Sequence, residues 1–123
     1  KGFLNDEAAA AAFIRDRLRH RPRGKARLSS ELQSKGLDAD IIHRVINDIF
    51  EDEGTDDLSL ARQVAAGWLK RQNRDMVKAL ADTAHSQSRK KAHRRLYGYL
   101  TRRGFRGDAL RAAIEETIEA ARN

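Results

Sequence analysis

RLSSELQSKGLDADIIHRVI, residues 27–46, and RLYGYLTRRGFRGDALRAAI, residues 95–114, carry one pattern at two places, 68 positions apart. In both stretches an Arg-Leu pair and a second leucine precede a glycine, a large apolar residue follows it, and an aspartate leads into further aliphatic residues. Gly36 and Gly104 hold equivalent positions, and glycine there is typical of the left-handed residue that ends a helix. The pattern predicts an internal repeat of helical units.

The first helices of the two units align at a shorter spacing. Asp6, Leu18 and Arg23 match residues 51 positions later, so the second unit holds an additional 17 residues, the difference between the two spacings. These fall at about residues 75–91, and we expect them to lengthen the helices and their connection. The predicted organisation is the end of a preceding repeat at residues 1–4, a three-helix repeat at 5–53 and a second at 54–123.

Helical signals cover nearly the whole chain, and no segment alternates as a β-strand does. Asn5 or Asp6 can cap a first helix, Pro22 interrupts it, and Asp38 can cap a third helix. In that third helix, ADIIHRVINDIF at residues 39–50, aliphatic residues recur at helical spacing and predict a buried face. The sequence therefore predicts an all-α fold of tandem three-helix repeats.

Composition and net charge indicate where in the cell the protein acts and which class of partner it binds. The chain has 123 residues, no cysteine and a formal net charge of +7. It can form no disulfide, and it holds neither an apolar run of about 18 residues nor the apolar core of a signal peptide. We therefore expect a cytoplasmic protein without a membrane partner. The positive charge favours nucleic acid or an acidic protein surface.

Catalytic motifs are absent from the sequence, which contains no H-E-x-x-H, P-loop or G-x-S-x-G motif. Two D-x-x-H pairs, Asp40 with His43 and Asp82 with His85, each place a carboxylate and an imidazole on one helix face. Such pairs are common by chance, and no third ligand at metal spacing accompanies them. We expect no enzymatic role, no catalytic or metal-binding residue and no cofactor.

Basic residues fall in two blocks. Residues 15–35 carry eight Lys or Arg against two acidic residues, and residues 70–106 carry twelve against two, whereas residues 38–57 carry eight acidic residues against one Arg. The first block surrounds the Pro22 turn, and we expect its side chains, including Arg23 and Lys25, to be displayed on the surface there. The two repeats place basic residues at equivalent positions, so we interpret the blocks as a binding face. The candidate partner- or DNA-binding residues are Arg19, Arg21, Arg23, Lys25, Arg27, Lys35, Lys90, Lys91, Arg94, Arg95, Arg102 and Arg103.

Three stretches resemble the RecX family of recombinase regulators: LNDEAAAAAFIRDRL at residues 4–18, RPRGKARLSSELQSKGLDADIIHRVI at 21–46 and YLTRRGFRGDALRAAI at 99–114. The resemblance extends over nearly the whole chain, and these stretches are its most specific parts. The resemblance implies tandem three-helix repeats, usually three in full members, so residues 1–4 match the end of a first repeat that this chain lacks. It also implies a regulator of recombination and DNA repair, within the SOS response, that lodges in the groove of the RecA filament on DNA and inhibits its ATPase and strand exchange.

Two functional hypotheses follow. In the first, a monomeric, elongated and curved array binds the RecA filament, and its basic face meets acidic protein and DNA phosphate, single- or double-stranded, through the filament or directly. In the alternative, one unit acts as a helix-turn-helix that reads the DNA major groove. The third helix argues against this reading, because it is apolar on one side and acidic on the other. Trp68, Tyr97 and Tyr99 could stack on bases, but their helical spacing favours packing.

Overall fold

A computed structural model describes residues 3–123 of the chain, with side chains from residue 6 onward. In this part of the chain all regular structure is helical, which confirms the predicted all-α class and the tandem helical repeats. The seven helices are α1 (Phe3–His20), α2 (Lys25–Ser34), α3 (Ala39–Glu53), α4 (Asp57–Lys70), α5 (Arg74–Ala81), α6 (Gln87–Arg102) and α7 (Gly107–Arg122).

The glycine stop signals predicted from the repeat are confirmed. Gly36 follows α2 with φ of 88° and Gly104 follows α6 with φ of 90°. After each glycine, the next residue donates its N–H to the carbonyl of a core leucine five positions back, from Leu37 to Leu32 at 3.3 Å and from Phe105 to Leu100 at 3.1 Å. This is the Schellman arrangement, which satisfies the free carbonyls of the last turn and requires a left-handed residue. The same chemistry therefore ends α2 and its equivalent, α6.

Of two predicted helix starts, the first differs from the structure and the second agrees with it in position. α1 is already helical at Phe3, so Asn5 and Asp6 lie inside the helix, and the prediction that either one caps it is wrong. Asp6 instead stands in the first turn, where a carboxylate is favoured by the helix dipole. Asp38 does occupy the N-cap position of α3 with an extended backbone, but its side chain makes no capping hydrogen bond.

The helices pack in two groups, one made of α1, α2 and α3 and the other of α4, α5, α6 and α7. Helices α1 and α2 both pack on α3, whereas α4 packs most extensively on α7, and α6 contacts both of them. The contact of α1 with α3 thus corresponds to the contact of α4 with α7, and the contact of α2 with α3 corresponds to that of α6 with α7. Buried leucines hold equivalent places in the two groups: Leu28 and Leu32 in α2 match Leu96 and Leu100 in α6, and each is at most 1% exposed.

The insertion at residues 75–91 forms most of a separate helix, which was not predicted. Its residues 87–91 also lengthen α6, as expected, because α6 has 16 residues and the equivalent α2 has 10. α5 begins because the Asn73 side chain accepts a hydrogen bond from the Met76 N–H at 2.9 Å, which caps a new helix. It ends before Asp82, and the Ser86 hydroxyl then caps α6 in the same way. Leu80 is fully buried, since α5 packs on α6 and α7.

Candidate cationic interface

The two basic blocks meet where the Pro22 turn contacts the end of α6. The Gly24 N–H donates to the Arg103 carbonyl at 2.7 Å, across 79 positions of sequence. Nη1 of Arg27 donates to the Arg102 carbonyl at 2.8 Å, and Nη1 of Arg103 donates to the Pro22 carbonyl at 3.3 Å. Backbone from one group of helices is therefore bonded directly to the other group, and each side contributes an arginine.

Three adjoining clefts surround this contact, and together we call them the cationic groove. The central cleft, about 670 Å³, is lined by Asp16, Arg17, His20, Arg21, Arg23, Arg27, Glu31, Arg102 and Arg103. A second, about 320 Å³, is lined by His20, Arg21, Pro22, Gln63, Val64, Gly67, Arg71, Tyr99 and Arg103. A third, about 550 Å³, is lined by Trp68, Lys91, Arg94, Arg95, Tyr99 and Arg102. Because Arg21, Arg102 and Arg103 are shared, the clefts form one continuous surface.

The predicted basic residues divide by their position relative to this groove. Eight of them line it: Arg21, Arg23, Arg27, Lys91, Arg94, Arg95, Arg102 and Arg103. Arg19 and Lys90 are exposed but line none of the three clefts. Lys35 lines a neighbouring cleft that adjoins the central one at Arg17 and Glu31, and its ammonium is 5.3 Å from the centroid of the Phe13 ring. The structure thus brings most of both blocks together and leaves these three outside.

Arg23 is buried, so the expectation that it is displayed on the surface of the turn is wrong. Its side chain is 9% exposed, and Nη1 donates to Oε2 of Glu31 at 2.6 Å. Arg27 donates to the same carboxylate oxygen at 3.1 Å. Burial opposes ionisation of Glu31, but the hydrogen bonds and charges of Arg27 and Arg23 outweigh it and hold the pKa of this carboxyl below its ordinary value. Arg23 therefore stabilises the fold beneath the groove.

Lys25 is half-buried, so the expectation that it is displayed on the surface is wrong for this residue too, and it has a structural role. Its ammonium donates to Oδ1 of Asn47 at 3.0 Å and lies 5.1 Å from the centroid of the Phe50 ring. Its backbone N–H donates to Oδ1 of Asp57 at 3.0 Å, which joins the first turn of α2 to the first turn of α4. Burial raises the pKa of Asp57 although this hydrogen bond and the Lys25 charge oppose the shift.

Sequence reasoning missed two arginines of the groove. The Arg71 guanidinium donates to the Tyr99 hydroxyl at 2.7 Å, and Arg17 lies 4.2 Å from the centroid of the Phe13 ring. Arg103 stands 4.8 Å from the centroid of the Tyr99 ring, so this aromatic residue holds two cations in the groove. The basic blocks contained both missed residues, but only their contacts with aromatic rings distinguish them from other surface arginines.

The aromatic residues mostly pack, as their spacing predicted. Trp68 is buried and Tyr99 is half-buried, with ring centroids 6.4 Å apart. Tyr97 is the exception, because 54% of it is exposed. Since Arg103 covers one face of the Tyr99 ring, the groove presents guanidinium groups to a partner more than it presents bare aromatic faces.

In the second D-x-x-H pair, Asp82 has a structural role at the start of the loop before α6. The Asp82 carboxylate accepts hydrogen bonds from the Ala84 N–H and the Ser86 hydroxyl, both at 3.0 Å, which hold the pKa of Asp82 below its ordinary value. Among the described residues, no three His, Asp or Glu side chains are placed to hold a metal ion. Each helix between residues 3 and 123 is too short or too polar to span a lipid bilayer.

Comparison with known proteins identifies relatives over nearly the whole chain. Residues 5–46 match the family model for the second three-helix domain of RecX. The chain is 34% identical to the regulatory protein RecX of Corynebacterium efficiens over 124 residues, 98% of this chain and 54% of that protein. It is 32% identical to regulatory protein RecX of Mycolicibacterium vanbaalenii over 104 residues, 85% of this chain and 52% of that protein. The chain thus spans about half the length of these relatives. No solved structure matches it.

Proposed function

The chain belongs to the RecX family, and from this premise we propose that it regulates homologous recombination by binding the RecA filament on DNA through the cationic groove. Binding would inhibit the ATPase and strand exchange of the filament. The protein itself would carry out no chemistry, in keeping with the name of its relatives as regulatory proteins. Its site of action would be the cytoplasm, where the filament forms.

The observation that carries this proposal is the convergence of Arg21 and Arg102 on one cleft. They lie 81 positions apart in sequence, yet both line the central cleft. Exposed arginines concentrated in a groove raise the local potential and attract an acidic partner, with an association rate that falls as salt increases. A groove that crosses from one group of helices to the other can follow an elongated partner, and a filament is such a partner.

The division into repeats supports the same proposal. We propose that residues 1–4 end a preceding repeat, that residues 5–53 form one repeat, and that residues 54–123 form a second with α5 inserted. The match of residues 5–46 to a second three-helix domain supports the first boundary, and the separate packing of α1–α3 and α4–α7 supports the other. Binding by two units would combine two weak contacts into a stronger one through avidity.

The helix-turn-helix alternative finds less support. The outer face of α3 carries the exposed residues Asp40, Asp48 and Glu51, whose charge would repel DNA phosphate. Its apolar side, with Ile42 and Ile46, is buried in the core and cannot read base edges. Non-specific contact between the groove and phosphate remains compatible with filament binding.

A titration with two DNA substrates tests the proposed function. The labelled protein is titrated into RecA-coated single-stranded DNA and into bare DNA of the same sequence. Each titration is made at about 50 and about 200 mM salt, a range over which counterion release changes the affinity for DNA strongly. We expect tighter binding to the coated DNA, with a shallower dependence of log affinity on log salt, because an acidic protein surface releases fewer condensed counterions than DNA does. Binding to bare DNA alone would contradict the proposal and favour the alternative.

A further inference from the structure

Gly24 and Gly104 stand at the tightest contact between the two groups of helices. A Cβ added at Gly24 would lie 2.4 Å from the Gly104 carbonyl oxygen and 2.9 Å from its carbonyl carbon. A Cβ added at Gly104 would lie 2.5 Å from the Cβ and 2.6 Å from the backbone nitrogen of Arg27. These obstacles are backbone atoms and one Cβ, which cannot rotate away as the end of a long side chain can. Any side chain at either position must therefore push the two groups of helices apart.

Hydrogen bonds around this contact connect helix termini across the boundary. Gly24 is the N-cap of α2 and has no side chain to satisfy the first turn of the helix, so Asp57 of α4 accepts the Lys25 N–H instead. In the opposite direction, the Arg27 side chain of α2 donates to the Arg102 carbonyl in the last turn of α6. Each group of helices thus completes a helix end of the other, a pairing that is lost if they separate.

The same residues border the groove. Arg27, Arg102 and Arg103 each take part in a hydrogen bond across the contact, and each lines the central cleft. We propose that Gly24 and Gly104 are positioning residues: their contact fixes the orientation in which arginines of both groups face one partner. This inference rests on the proposed function of the groove, and it adds what holds the groove in shape before a partner binds. A surface preorganised in this way loses less entropy on binding than two linked, freely moving halves do.

The chain offers matched variants that separate contact from backbone strain. Gly24 has φ of −76° and ψ of 167°, so Gly24→Ala introduces the clash without an unfavourable backbone conformation. Gly36 is the equivalent of Gly104 and shares its positive φ, but a Cβ added there meets nothing within 4 Å. Gly36→Ala therefore introduces the strain without the clash. Asp57→Ala, which removes one hydrogen bond across the contact, provides a milder second test should Gly24→Ala prevent folding.

Distances between spin labels measure the orientation directly. The chain has no cysteine, so Ser30→Cys in α2 with Ser88→Cys in α6 reports across the contact, and Ser59→Cys with Ser88→Cys reports within α4–α7 alone. We expect Gly24→Ala to broaden the first distance distribution and leave the second unchanged. Gly36→Ala should lower the melting temperature and leave both distributions narrow. An unchanged first distribution in both Gly24→Ala and Asp57→Ala would overturn the proposal.

Binding measurements connect the contact to function. The affinities of the unlabelled variants are measured for the RecA filament and, as a probe that needs no protein partner, for inorganic polyphosphate. We expect Gly24→Ala to weaken both by about tenfold or more, and Gly36→Ala to leave both near the wild-type value. Broadened distances with undiminished affinity for both probes would contradict a positioning role. If wild type binds polyphosphate but not the filament, and Gly24→Ala weakens polyphosphate binding, the proposed function fails while the positioning role stands.

Discussion

Arg23 and Glu31 form an ion pair beneath the cationic groove, with Nη1 of Arg23 2.6 Å from Oε2 of Glu31. The Arg23 side chain also donates from Nε to the Arg21 carbonyl at 2.9 Å. One guanidinium thus connects the turn before α2 to the middle of that helix. The two arginines of the Arg-Pro-Arg-Gly turn have opposite roles, since Arg23 is buried and Arg21 is exposed in the groove.

Replacing Arg23 should destabilise the protein, whereas replacing Arg21 should not. Arg23→Met leaves the half-buried Glu31 with one arginine partner and should lower the free energy of unfolding by about 1–3 kcal/mol. Arg21→Met, the matched control at an exposed position, should change it by less than about 0.5 kcal/mol. Urea denaturation at neutral pH measures both. Equal effects of the two substitutions would contradict the distinct roles.

The ion pair also predicts how stability depends on pH. Arg27 and Arg23 hold the folded pKa of Glu31 below its ordinary value of 4.5 despite burial, so the carboxylate contributes fully above pH 4.5 and less as pH falls through the folded pKa. Glu31→Gln removes this contribution. We expect wild type to exceed the variant in unfolding free energy at pH 6 by an amount that shrinks steadily below about pH 4.5. A difference that stays constant down to pH 3 would show that the ionised pair is not its source.

Leu32 and Leu100 are predicted to be equally costly to truncate. Both are at most 1% exposed and stand at equivalent places in α2 and α6, so each Leu→Ala change should cost about 2–5 kcal/mol through lost burial and a cavity. Thermal melts and urea denaturation measure the loss. A negligible effect at one of the two positions would show that the two groups of helices do not rely on equivalent cores.

The two helix-ending glycines should differ in their sensitivity to valine. Gly36→Val places a β-branched residue at positive φ and should cost on the order of 1–2 kcal/mol. Gly104→Val imposes the same strain and also collides with Arg27, so its cost should be larger. Comparison of the two melting temperatures measures the difference. An equal fall in melting temperature for both variants would mean that Arg27 moves away from a side chain at residue 104 without destabilising the protein.

The residues that the sequence predicts well are those governed by local chemistry. The glycine at the end of α2 and of α6 could be predicted because the left-handed conformation and the core leucine before it are both local requirements. Burial of Leu32 and Leu100 followed from helical spacing in the same way. The separate helix α5 was missed because its start depends on a single capping side chain, Asn73, within a segment that has no match in the first unit.

The groove was harder to predict because it is made by distant segments. The sequence showed that two basic blocks exist, but not that the Pro22 turn meets the end of α6 through Gly24 and Arg103. Nor could charge alone distinguish Arg23, which is buried on Glu31, from Arg21, which is exposed two positions earlier. Only the packing of the two helix groups decides which arginines support the fold and which face a partner.

The most direct test of the central claim is inhibition of the filament ATPase by a charge-reversed groove. Arg21→Glu with Arg95→Glu changes two exposed residues on opposite sides of the groove, neither of which forms an ion pair among the side chains described. Lys70→Glu with Lys78→Glu makes the same change in net charge at exposed positions that line none of the three clefts. Circular dichroism checks that both variants are folded. We predict that the half-inhibitory concentration of the first variant rises by about a hundredfold or more, because both sites of a two-site contact are damaged. The second variant should inhibit as wild type does. Equal inhibition by wild type and both variants would contradict binding through the cationic groove.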